Sequence, residues 1–172
     1  MIEVEIVGVR IEMPSNQPLV LLRERTGPRH IPIWIGAAEA TAIALAEQGV
    51  IPPRPLTHDL LCEVVHALGR KIVRVNLTKV EEGVFHGELV MDDSTTVSSR
   101  ASDAIAIAQR AHCSIWAAES LVDEAGVEIG PHEEASGAGE AAGDSADDDA
   151  KEREVRQFRE FLNDVEPEDF EK

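Results

Sequence analysis

The stretch Ala37-Ala38-Glu39-Ala40-Thr41-Ala42-Ile43-Ala44 returns 64 residues later as Ala101-Ser102-Asp103-Ala104-Ile105-Ala106-Ile107-Ala108. Five of the eight pairs are identical, and Glu39 falls opposite Asp103. Self-similarity at a fixed offset marks an internal repeat, and the same offset roughly aligns the strand-like runs that precede the two stretches. Each copy places Ala and Ile at helical spacing, which predicts a helix whose small-residue face allows close packing.

Working outward from the first copy, Ile2, Val4 and Ile6 alternate with Glu3 and Glu5, then change phase at Val7-Gly8, which predicts a long strand with a bulge at Gly8. Turns at Asn16-Gln17-Pro18 and Thr26-Gly27-Pro28 lead into LVLLRE and HIPIWIG, a meander of three strands. The first Ala-rich helix closes on Gly49. Three prolines exclude a helix in IPPRPL, and Thr57 then caps a second helix with an apolar stripe of Leu60, Leu61, Val64, Val65 and Leu68. KIVRVNLTKV, VFHGELVM and STTVSSR read as three more strands, and ASDAIAIAQRAH and SIWAAESLVDEAG as two more helices. The expected fold class is therefore α+β, a tandem duplication of a three-strand, two-helix unit forming one domain over residues 1–130.

The remainder has a different composition. Of 172 residues 43% are apolar, yet residues 131–150 contain no Val, Ile or Leu. Such a stretch cannot bury enough apolar surface to offset the entropy of ordering it, so a disordered acidic linker is expected. Residues 151–172 carry Val155, Phe158, Leu162 and Val165 at helical spacing, an amphipathic helix or tail that suits a protein partner.

Charge narrows the function classes. Residues 1–130 hold 11 Lys/Arg against 18 Asp/Glu, and residues 131–172 hold 5 against 15, leaving −7 and −10 of the total of −17. Neither part offers the basic excess with which nucleic-acid binders release counterions, so any such chemistry needs a local cationic spot or a metal. The opening MIEVEIVGVRIE lacks the basic leader and apolar core of a signal peptide, and no apolar run reaches membrane-spanning length, so a cytoplasmic location without membrane contact is expected. Cys62 and Cys113 read as reduced, buried thiols. Trp34 and Trp116 read as core residues.

The polar residues gather at predicted helix starts. Glu39 and Asp103 lie in equivalent first turns, Arg100 and Ser102 flank the start of the third helix, and Thr57, His58 and Asp59 open the second. Carboxylates joined by a pseudo-twofold axis could hold Mg²⁺ or Mn²⁺, and Arg100 with free helix N–H groups suits a phosphate. Each residue also has a purely structural explanation. Thr57 and Ser102 are ordinary cap types, first-turn acids suit the helix dipole, and Arg100 can pair with Asp103. His58, Cys62 and His66 share one helical face, where packing competes with zinc ligation. The chain has no P-loop, G-x-G-x-x-G or G-x-S-x-G motif, and neither His86-Glu88 nor His132-Glu134 is joined by a P-C-x-x-C.

IGAAEATAIALA, RPLTHDLL, RASDAIAIAQRA and SIWAAESLVDEAG, in this order, resemble the bifunctional nuclease family of small bacterial and plant proteins. The resemblance covers about residues 1–130 and implies degradation of RNA and DNA, dependence on a divalent metal, and homodimers. By motif it implies Glu39, His58, Asp59 and Asp103 as catalytic candidates, with Glu39, Asp59 and Asp103 as metal ligands. Arg100, Ser102 and Thr57 become substrate-binding candidates. The chain departs from the family where Pro usually follows the Arg, here Ala101, and where an acid often stands two residues before it, here Ser98. Losing that carboxylate shrinks the ligand set. Two expectations follow: a metal-assisted phosphodiesterase, or a noncatalytic module that recognises an anion or a protein at these helix N-termini.

Overall fold

The computed structural model describes residues 1–129. Strands β1 (Ile2–Glu12), β2 (Gln17–Glu24) and β3 (Arg29–Trp34) form an antiparallel meander, followed by helices α1 (Ala37–Glu47) and α2 (Thr57–Ala67). A second antiparallel meander, β4 (Ile72–Glu81), β5 (Val84–Met91) and β6 (Thr96–Arg100), runs directly into α3 (Ala101–Ala111). Strand β7 (Ser114–Ala117), helix α4 (Glu119–Ala125) and the two-residue strand β8 (Val127–Glu128) complete the described chain. The strands make one mixed sheet in the order β6-β5-β4-β7-β1-β2-β3-β8, so the fold is α+β.

The local chemistry of the sequence accounts for most of these elements. In β1 the register against β2 shifts between Ile6 and Gly8, and Gly8 has φ +145°, a conformation side chains rarely adopt. The bulge lets the apolar alternation change phase. Helix α1 stops before Gly49 and α2 before Gly69, both in the left-handed region where a helix C-terminus wants glycine.

Two expectations are corrected. Ser114–Ala117 is a strand and not the start of a helix: Ile115 and Ala117 are buried where β7 lies parallel to β4 and antiparallel to β1. Four residues are too few for periodicity to separate strand from helix, and the gap between two meanders decides the outcome. The order after the second meander is thus helix, strand, helix, whereas α1 is followed by an extended proline segment and α2. The apolar stripe of α2 is also largely uncovered. Leu60, Leu61, Val64 and Leu68 are exposed, and only Cys62 and Val65 pack partly against the core. The expectations for residues 131–150 and 151–172 concern parts outside the described residues.

The core lies between sheet and helices. Leu22, Ile31, Leu77, Ile105, Ile107 and Leu121 are fully buried, each contributing about 2 kcal/mol of apolar transfer. Helix α3 touches β4, β5, β6 and β7 as well as α1 and α2. Ala101, Ala104, Ala106 and Ala108 are buried and make this close approach possible. None of the described helices is long and apolar enough to cross a membrane.

Gly87 in β5 lies close against α3: a Cβ there would stand 3.0 Å from the Ala104 Cβ and 3.4 Å from the Ala101 Cα. Gly87→Val should therefore lower unfolding stability by about 2 kcal/mol in a denaturant titration, as overpacking does where backbone must move.

Candidate functional site at three helix starts

Three chain reversals deliver the polar residues to one place. Strand β3 passes through Ile35-Gly36 into α1, β6 enters α3 with Arg100 as the residue before its first turn, and the proline segment delivers Thr57 to the start of α2. A cleft of about 580 Å³ opens between them, lined by Glu39, Thr57, His58, Arg100 and Asp103.

Arg100 organises the cleft. Its Nη2 lies 2.8 Å from Glu39 Oε1 and 3.0 Å from Asp103 Oδ1, while its Nε donates to Asp103 Oδ2 at 2.8 Å. One guanidinium nitrogen thus reaches both first-turn carboxylates. The arginine side chain remains 66% exposed, so its charge also faces solvent. On the other side His58 Nε2 is 3.2 Å from Asp103 Oδ1, with the His58 side chain only 14% exposed. Desolvation pushes the Asp103 carboxyl up, but the hydrogen bonds from Arg100 and His58 outweigh it and hold the group below its ordinary value of 3.8. Asp103 is therefore ionised at neutral pH and can only accept hydrogen bonds. This assigns the proton between them to His58 Nε2, which in the neutral ring leaves Nδ1 with its lone pair.

The structure separates Asp59 from this group. Its Oδ2 accepts from the Leu56 amide at 2.9 Å and its Oδ1 pairs with Arg110. Arg110, absent from the sequence-derived candidates, also donates to the carbonyl oxygens of Ala106 (2.8 Å) and Ala42 (3.1 Å), tying α1, α2 and α3 together. An arginine in the last turn of a helix otherwise full of small residues was the available signal. The cap assignments also change. Leu56 precedes α2 and Arg100 precedes α3, so Thr57 and Ser102 lie inside their first turns, where neither serves as a cap.

These residues do not fit a resident divalent cation as placed. The Arg100 guanidinium fills the interval between Glu39 and Asp103, Asp59 is engaged elsewhere, and no three His, Cys, Asp or Glu side chains among the described residues are grouped as a metal site. The same holds for His58, Cys62 and His66, since His58 turns to Asp103. Cys62 and Cys113 are free, and burial pushes both thiols up, Cys113 to about 11.

A second cavity, of about 380 Å³, adjoins the cleft through Arg100 and is lined by Gln17, Trp34, Phe85 and Ser102. Trp34 is not a core residue but 50% exposed, and its Nε1 donates to Glu12 Oε2 at 3.1 Å. The strand period explains this: Ile31 and Ile33 point into the core, which turns Trp34 to the other side.

Two outcomes follow from these contacts. Replacing Arg110 with Ala should cost about 2–3 kcal/mol in a denaturant titration, because it leaves Asp59 without its partner in a partly buried place. The double change with Asp59→Asn should cost less than the two single changes added together. For Asp103 the depressed value means stability that is present above pH 3.8 and lost as the pH falls below it. Thermal melts of wild type and Asp103→Asn should accordingly differ at neutral pH and converge in acid.

Residues 20–130 match the bifunctional nuclease domain. The chain is also similar to proteins from two strains of Mycobacterium tuberculosis, each described as an uncharacterized protein. Both are 45% identical to it over 168 residues, which cover 98% of this chain and 97% of the relative.

Proposed function

Since the chain belongs to the bifunctional nuclease domain family, we propose that the cleft at the three helix starts hydrolyses phosphodiester bonds in RNA and DNA. The observation that carries this reading is the chain of contacts from Glu39 through Arg100 and Asp103 to His58. A base oriented by a carboxylate, beside a cation, is the arrangement such a reaction requires.

Each residue then has a distinct task. Arg100, exposed and permanently charged, receives a nonbridging phosphate oxygen. His58 Nδ1 takes the proton of the attacking water as its oxygen bonds to phosphorus. The ester bond to the departing sugar oxygen breaks, and that oxygen recovers a proton from the imidazolium or from solvent. Asp103 steadies the imidazolium, and Glu39 fixes the guanidinium from the far side. Ser102 and Thr57 line the approach. No step in this reading runs through Mg²⁺ or Mn²⁺.

Purified protein should cut single-stranded RNA and plasmid DNA, with His58→Gln lowering kcat by about 10²–10⁴-fold and Asp103→Asn by a similar factor. Arg100→Ala should act chiefly by raising KM. The assays belong in Mg²⁺, in Mn²⁺ and in EDTA. Cleavage that survives both His58→Gln and Asp103→Asn would come from another site or a contaminant and would sink the assignment. The acidic surface favours a second reading, a noncatalytic anion-binding module, which binding of the strand without turnover in any of the three media would support.

A further inference from the structure

The cavity beside the cleft differs from the surface around it. In a chain of net charge −17 its lining contains no Asp or Glu, and its one charged residue is Arg100. Trp34 offers a half-exposed indole, tethered through Nε1 to Glu12, and Phe85 adds a second ring to the wall. Gln17 contributes an amide that can both donate and accept. Ser102, only 9% exposed as a residue, lines the same cavity with a hydroxyl that can both donate and accept. The open cavity, two rings, a neutral polar edge and one cation describe a flat heteroaromatic ligand with an anionic attachment.

We infer that this cavity takes one unpaired base of a single-stranded nucleic acid, with Trp34 as its stacking platform and the adjoining phosphate directed to Arg100. The inference rests on the nuclease reading for the identity of the ligand and adds to it the form of the substrate. Arg100 lines both cavities, so a base seated on Trp34 places the neighbouring phosphate at the mouth of the cleft that contains His58 and Asp103. A base within a duplex has both faces covered by its neighbours and its edge paired, and must leave the stack before it can enter such a cavity. Duplex DNA is therefore disfavoured relative to single strands. Stacking also answers the charge objection, since it draws affinity from ring contact and not from counterion release. With one phosphate neutralised, the slope of log affinity against log salt should be shallow, about −0.7.

The test uses the full chain and a phosphorothioate-linked oligothymidylate that resists cleavage, so binding is read apart from turnover. Trp34→Ala should weaken binding of this strand about tenfold, the loss of one stacked base, and Trp34→Phe should restore most of it. Trp34 is one of only two tryptophans, so the strand should quench the wild-type emission, and that quenching should vanish in Trp34→Phe. The same sequence as a duplex should compete poorly. Unchanged affinity in Trp34→Ala, equal affinity for duplex, or quenching by thymidine monophosphate as strong as by the strand would each overturn the inference. Trp34-dependent binding without cleavage would sink the nuclease reading alone, and cleavage indifferent to Trp34 would sink this one alone.

Discussion

The arrangement of the site depends on how closely α3 can be pressed between the sheet and its two neighbouring helices. A helix that touches four strands on one side and α1 and α2 on the others has little room for side chains. Alanine at Ala101, Ala104 and Ala108 meets that limit, and Gly87 meets it from the side of the sheet. Close-packed interiors transmit displacement, so the position of the α3 N-terminus is set by contacts along its whole length. The start of α1 is set by the same packing. The carboxylates at these two starts are near one another because the helices that bear them cannot move apart.

Bringing Glu39 and Asp103 together creates an electrostatic problem that Arg100 resolves. Two like charges in a partly desolvated cleft repel strongly, and a cation between them removes most of that cost. The guanidinium suits the place because its planar fork bonds two acceptors at once. The cluster nevertheless keeps one uncompensated negative charge, and its cationic member is its most exposed one. An incoming anion therefore meets the arginine first. His58 lies deeper, oriented by a carboxylate already held in its ionised form, so binding and proton transfer fall to different residues in one connected group.

Much of this was legible in the sequence. The repeated Ala-rich stretch located α1 and α3 and set Glu39 opposite Asp103, and the phase change at Gly8 marked the bulge. Their places at predicted helix starts singled out His58 and Arg100. What escaped was decided by partners distant along the chain. SIWA has no periodic signature at four residues and became a strand because β4 and β1 each left an edge open to it. Asp59 looked equivalent to the other first-turn acids, but Arg110, 51 residues away, draws it out of the cleft. Trp34 reads as a core residue by type, although the alternation of Ile31 and Ile33 points it outward. Identity of residue type misled where period or a remote partner governed.

Strand β7 has a consequence for the order in which the molecule is put together. It joins the two meanders, pairing with β1 across more than a hundred residues of chain and with β4 in parallel. Both meanders can form from near neighbours, but neither can be stitched to the other until β7 exists. On a ribosome the first meander must wait, one flank of β1 unsatisfied, for almost the entire domain to emerge. Such late, long-range closure slows folding and leaves strand edges open to intermolecular pairing in the interim.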